Sequence, residues 1–191
     1  MLRTACLKAF VLCMCLRATG IATGADRDAL SGATSRGAVS LAVENFVFEH
    51  YIKDGRLHGT LSYPTKGWIA VGFKPVKRMK DANIIMGYAD GDDFVVSDQF
   101  GTGTTSHKPD SAIGGTDDVL QGSCSEKNGV TSMWFVIPLD SGDEKDRKLT
   151  PGETVPVIFA AGKKDSFHFK HGKVASKKIT LQDVNERTAD E

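Results

Sequence analysis

The stretch that decides the fold is Gly67–Ser97, GWIAVGFKPVKRMKDANIIMGYADGDDFVVS. It holds two apolar runs, Trp68–Phe73 and Ala82–Tyr88. Both are short, rich in aromatic and β-branched residues, and closed off by turn residues, which is the pattern of buried strands. The intervening segment Lys74–Asp81 is basic, and Pro75 forbids a continuous central strand there. Met79 is the odd member of that loop. A thioether in polar surroundings is either a flexible apolar filler or a soft metal ligand, and spacing alone leaves both open.

The same reading extends outward in both directions. Val39–Val43 and Phe46–Ile52 read as strands. Asp54-Gly55 is a two-residue hairpin signal, because a type I′ turn needs positive φ at both central positions. Arg56–Ser62 returns with Leu57, Gly59 and Leu61 on one face and His58, Thr60 and Ser62 on the other. Ala89–Asp92 turns into Asp93–Gln99. Phe100–Ser123, rich in glycine, threonine, serine and aspartate, predicts one long ordered loop. Thr131–Ile137, Thr154–Ala161, Ser166–His171 and Lys177–Leu181 complete the strands, with Asp140–Lys148 a charged loop. No helix-period segment follows the first 25 residues and no internal repeat is visible. Many short strands between turns indicate a single antiparallel β-sandwich, immunoglobulin-like in architecture.

The 191 residues carry 24 basic and 24 acidic side chains. That balance excludes a nucleic-acid binder of the usual basic kind. Arg3 and Lys8 precede the apolar run Ala9–Leu16, and small residues follow through Ala25, the layout of a cleavable secretory leader. The run is too short to span a bilayer. Losing Arg3, Lys8 and Arg17 with residues 1–25 leaves 21 basic against 24 acidic side chains. Residues 26–37 read as a flexible lead-in, 38–182 as the sandwich, and 183–191 as a polar tail. Cys6, Cys13 and Cys15 lie in the leader, so Cys124 has no intrachain disulfide partner and reads as a small loop residue. No C-x-x-C-H occurs, which excludes covalent haem attachment of the c type.

The segment Ser166-Phe167-His168-Phe169-Lys170-His171, read as a strand, puts Phe167, Phe169 and His171 on one face and His168 and Lys170 on the other. The apolar face should turn inward, so His171 should be at least partly buried. A buried imidazole needs a hydrogen-bond partner or a metal, and the pattern does not choose between them. A bulge would bring His168 into its place. His107 stands in the polar loop as an exposed histidine or a pocket-rim residue. Asp140–Asp146 suggests calcium at first sight but lacks the EF-hand ligand order, and reads better as a capped turn. Gly101-Thr102-Gly103 has no following helix or lysine of a phosphate loop, and no hydrolase motif is present.

The segments GWIAVGF, MKDANIIMGY, DQFGTGTTSHKPD, IGG, FVIPLDSGDEKD and DSFHFKH, in this order, resemble the DOMON family. These are extracytoplasmic β-sandwiches that bind haem or sugars. The closest resemblance is to small bacterial single-domain members. In cytochrome-type members a methionine after the GF strand and a histidine near the C-terminus ligate b-type haem, and the matching positions are Met79 and His171. Lys170 and Val174 depart from the family pattern around the histidine. The resemblance implies an exported, periplasmic or secreted, non-catalytic carrier of single electrons, with non-covalent haem b and an unidentified redox partner. Trp68, Phe73, Met86, Phe167 and Phe169 are then expected as pocket or nearby core walls. Lys77 and Arg78, like Lys80, would pair with haem propionates. The competing expectations are a haem-free module of the same fold that binds a sugar or other small ligand between its sheets, and an exported adhesion or structural domain.

Overall fold

The alternation along Arg56–Ser62 becomes a strand with Leu57, Gly59, Leu61 and Tyr63 buried and the intervening residues half-buried. The structure, a computed structural model, describes residues 37–184. The leader, nearly all of the lead-in and residues 185–191 lie outside the described residues. Eleven strands follow one another: β1 (Val39–Val43), β2 (Phe46–Lys53), β3 (Arg56–Tyr63), β4 (Ile69–Phe73), β5 (Asn83–Asp90), β6 (Asp93–Gly103), β7 (Ser106–Pro109), β8 (Gln121–Lys127), β9 (Val130–Pro138), β10 (Thr154–Ala161) and β11 (Lys173–Thr180). A 3-10 turn, Asp110–Ile113, follows β7.

The strands form two antiparallel sheets. One has the order β1-β2-β3-β9-β8 and the other β11-β10-β4-β5-β6-β7. Between them lies the main core, built on Phe46, Phe48, Phe73, Phe135 and Phe159 with Ile52, Leu57 and Leu61, all essentially inaccessible to solvent. The hairpin β2–β3 turns at Asp54 and Gly55 with φ of 51° and 70°, as the type I′ reading requires. No helix among the described residues is long and apolar enough to cross a membrane.

Three expectations are corrected. Ser166–His171 is not a strand. β11 begins only at Lys173, opposite Ala161, so residues 162–172 connect β10 to β11. A strand needs a partner for its backbone groups, and β10 is already flanked by β4 and β11. Phe100–Ser123 is not one loop. It contains the end of β6, the short edge strand β7, the 3-10 turn and the start of β8. Cys124 is not in a loop but on β8, buried, and burial pushes its thiol up to about 12, which makes it an unreactive core residue. Of the two positions open to Phe73, pocket or core wall, it takes the core: it points between the sheets, into contact with Phe48 and Phe135.

Candidate functional site

The six-stranded sheet has a second apolar face, turned away from the sandwich interior. Ala70 on β4 pairs with Ala160 on β10 and Met86 on β5, and Met86 with Ser97 on β6. The next row runs Ile158, Gly72, Ile84 and Gln99. Trp68, Ala70, Ala82, Ile84 and Met86 form a buried cluster there, separate from the main core. Met79, Tyr88, Ile158, Ala160 and Phe167 pack on its margin, half-buried. Small residues stand at 70, 72 and 160, and the side chains of Ile158 and Ile84 close over Gly72.

Met79 reaches this cluster because its loop is wound tightly. Val76 N donates to Lys80 O at 2.9 Å, and Lys80 N to Lys77 O at 3.0 Å. Lys74, Arg78 and Asp81 take positive φ, of 52°, 55° and 60°. The end of the loop is fastened to β6: Asp81 N donates to Gly101 O at 2.7 Å and Gly101 N to Ala82 O at 2.9 Å. A Cβ at position 101 would stand 1.6 Å from Met79 O, so only glycine allows this approach. Lys77 and Arg78 are exposed at the loop tip.

The 162–172 connection folds over the other end of the cluster. Trp68 Nε1 donates to Phe169 O at 3.0 Å, and Gly162 N to Trp68 O at 2.8 Å. A Cβ on Gly162 would fall 2.2 Å from the indole nitrogen, so the connection starts flush against the ring. Phe167 meets Tyr88 edge-on, with ring centroids 5.0 Å apart. Phe169 points outward, 55% exposed, and His168 and His171 are also exposed. The expected burial of His171 on a shared face with both phenylalanines is therefore corrected; Phe167 alone of the three packs against the cluster. The connection is held by its backbone and by Phe167, so its remaining side chains are free to point away.

One residue was undervalued in the sequence. His107 is on β7, half-buried, with Nδ1 2.7 Å from Gln99 Oε1, so an N–H there donates to the amide oxygen. Gln99 Nε2 in turn donates to Ser97 Oγ at 3.1 Å. Burial lowers the His107 pKa, and the charge of His171 lowers it further. The sequence carried a hint: a histidine two residues before a proline, after a run ending at Gln99, is what an edge strand folding back on its neighbour looks like.

The site thus joins Trp68, Met86, Phe167 and Met79 around one sheet face, with His107 held against Gln99 on β6 and His171 exposed on the 162–172 connection. Among the residues anticipated for the site, Phe73 lies on the opposite face and Phe169 and His168 in solvent.

A family model for the DOMON domain matches residues 50–162, so the chain belongs to the DOMON family. Two solved structures share the fold. One is the cytochrome domain of Myriococcum thermophilum cellobiose dehydrogenase, with 12% identity, TM-score 0.55, and 76% of this chain and 82% of that one covered. The other is the cytochrome b domain of pyranose dehydrogenase from Coprinopsis cinerea, with 12% identity, TM-score 0.57, and coverage of 73% and 80%. No curated protein sequence matches the chain.

Proposed function

We propose that the protein is an exported, non-catalytic b-type haem-binding DOMON protein that relays single electrons, with Met79 and His171 as the axial ligands. The observation that carries this reading is Met79: a thioether on a wound, glycine-anchored loop, half-buried against an apolar sheet face that a histidine-bearing connection overhangs. The apolar cluster of Trp68, Ala70, Ile84 and Met86, with Tyr88, Ala160 and Phe167 at its margin, suits a flat apolar macrocycle. The donor set fits as well, because a thioether and a neutral imidazole together favour Fe(II) and leave no open axial position. When bound, the haem would supply a reversible one-electron couple. The chain's own part is to hold that group dry on the sheet face, fix the thioether through the Gly101 contact, and present the imidazole from the 162–172 connection. Lys77 and Arg78 extend from the Met79 loop where propionates would reach solvent. The name of each structural relative includes a cytochrome, which supports haem over sugar. The leader supports export.

His107 supports a second ligand assignment. It is less exposed than His171, and its Nδ1 contact to Gln99 orients the ring as hydrogen bonds do for metal-bound imidazoles. The experiment is the absorption spectrum of protein reconstituted with haem, oxidised and reduced. Wild type should be low-spin and six-coordinate. Met79→Ala should become high-spin with a lower potential. His171→Ala should lose most of the haem and His168→Ala none of it. If His107→Ala loses the haem and His171→Ala keeps it, the ligand is His107. Protein that stays colourless after reconstitution would refute the cytochrome reading and leave a haem-free module, tested next on a carbohydrate array.

A further inference from the structure

β6 carries a second constellation on its other side. Asp98, the residue before Gln99, pairs with Ile85 and faces into the sandwich. Asp110 opens the 3-10 turn, and Asp146 belongs to the connection between β9 and β10. One carboxylate oxygen from each lies within 4.8 Å of the other two. Asp98 and Asp110 are 2% and 1% exposed.

Carboxylates often gather on protein surfaces, but Asp98 and Asp110 are buried and three of their four oxygens lack partners. Asp98 Oδ1 and both oxygens of Asp110 have no hydrogen-bond donor, although Asp98 Oδ2 accepts Asp118 N at 3.0 Å. Asn83, on the inner face of β5 and 5% exposed, donates Nδ2 to Asp146 Oδ1 at 2.5 Å. Its own Oδ1 is buried and unpartnered. Among the described residues no ion pair involves Asp98, Asp110 or Asp146. Burial first, then neighbouring carboxylates, push Asp98 up to about 8 and Asp110 up to about 7. A buried polar group without a partner is costly, and a group of acidic ones more so.

We propose that Asp98, Asp110 and Asp146, with the amide oxygen of Asn83, bind one Ca²⁺ ion that ties the 3-10 turn and the β9–β10 connection to β6. The donors are all oxygens, which selects a hard cation over zinc or copper. Ca²⁺–oxygen distances of about 2.3–2.6 Å place opposite ligands up to about 5 Å apart, a span that matches the cluster. Mg²⁺ at about 2.1 Å would demand a tighter octahedron. A polar cavity of about 190 Å³, lined by Asn83, Ser141, Asp143 and Asp146 among others, adjoins the cluster and provides the way in. Ser141 Oγ donates to Asp146, and Asp143 holds Thr116 N at 2.6 Å, so the two mobile-length connections are already laced together beside it.

The test uses the whole exported protein, stripped with EGTA and titrated with CaCl₂ by calorimetry and by thermal unfolding. One ion should bind per chain, and the unfolding midpoint should rise with Ca²⁺ concentration as expected for a ligand that binds only the folded state. Mg²⁺ should do so more weakly. Asp110→Asn should weaken Ca²⁺ binding at least about tenfold, since affinity follows ligand charge. In EGTA the same variant should unfold no earlier than wild type, because an unpaired buried acid has gone. Should Asp110→Asn fail to fold, Asp146→Asn, on a half-buried connection, reads the same loss. Asp140→Asn, exposed on that connection, should bind as wild type does. Folded wild type that takes up no Ca²⁺, or an Asp110→Asn protein that binds it as tightly, would overturn the assignment. In that case acidification, and not the ion, should stabilise the cluster.

Discussion

Asp98 and Gln99 are neighbours on one strand and serve two different kinds of chemistry. Gln99 points to the outer face, where it holds His107 beside an apolar platform of small and aromatic side chains. Asp98 points inward, to carboxylates from two connections and an unpartnered amide oxygen. β5 repeats the division one strand away, with Ile84 outward in the platform and Asn83 inward beside Asp146. The pleat alone separates them, since successive side chains in a strand leave on opposite faces. The outer face offers soft and borderline donors, sulfur and imidazole, above apolar surface. The inner one offers hard oxygens only. One sheet can thus present a redox-type site and a structural cation site a residue apart without either donor set disturbing the other.

The largest expected effect falls on the platform. Trp68 is 3% exposed and its indole N–H holds Phe169 O, so Trp68→Ala should cost about 3–5 kcal/mol in urea denaturation. A loss under about 1 kcal/mol would mean that the outer cluster contributes little to the fold. The Ca²⁺ titration of that variant should be unchanged if the two faces are independent.

Gly101→Ala comes next. Its Cβ would collide with Met79 O, and the strained packing should cost about 1–3 kcal/mol. If Met79 is the ligand, the variant should also shift haem toward high spin, whereas Gly91→Ala, in an open turn, should leave the spectrum alone.

The adjacent pair then sharpens the contrast. Gln99→Ala should alter the His107 titration, followed by NMR, and spare Ca²⁺ binding. Asp98→Asn should abolish Ca²⁺ binding and spare the His107 titration. Any crossing of these effects would break the proposed independence.

The smallest effect is a pH response that must be separated from the acid cluster. His50 is 1% exposed, with Nε2 3.2 Å from Thr180 O, and burial lowers its pKa below 6.5. The unfolded chain takes up this proton near pH 6.5 and the folded chain does not. Its contribution to stability is therefore complete above pH 6.5 and declines as the pH falls below that value, by at most about 1.4 kcal/mol per unit. His50→Gln should flatten the stability curve between pH 7.5 and 5.5. Carboxyls with raised pKa act with the opposite sign over the same range, so the variant exposes their share.

The strands around the platform were legible because their alternation is local and each is bounded by turn residues. The burial of Trp68, the Asp54-Gly55 turn and the span of β10 follow from that signal. In GWIAVGF, however, every strand residue is buried, so periodicity cannot say which face is which. Only the pairing of Val71 with Phe159, and of Gly72 with Ile158, reveals that Phe73 belongs to the inner core. The segment FHFKH misleads for the converse reason. It alternates as a strand does, yet β10, the strand it follows, is already flanked by β4 and β11. The acid cluster was invisible because Asp98, Asp110 and Asp146 sit in three unrelated stretches, each reading as an ordinary solvated aspartate.

The sequence by itself determined the sandwich and the family, because strand patterns and short motifs are encoded residue by residue. Which side of the sheet the platform occupies, that His107 folds back onto Gln99, and that three aspartates come together were decided only by tertiary structure. Register between strands and the path of the connections depend on partners far away in the chain. A single residue of register exchanges the two faces of a strand, and no local pattern records that choice where both faces are buried.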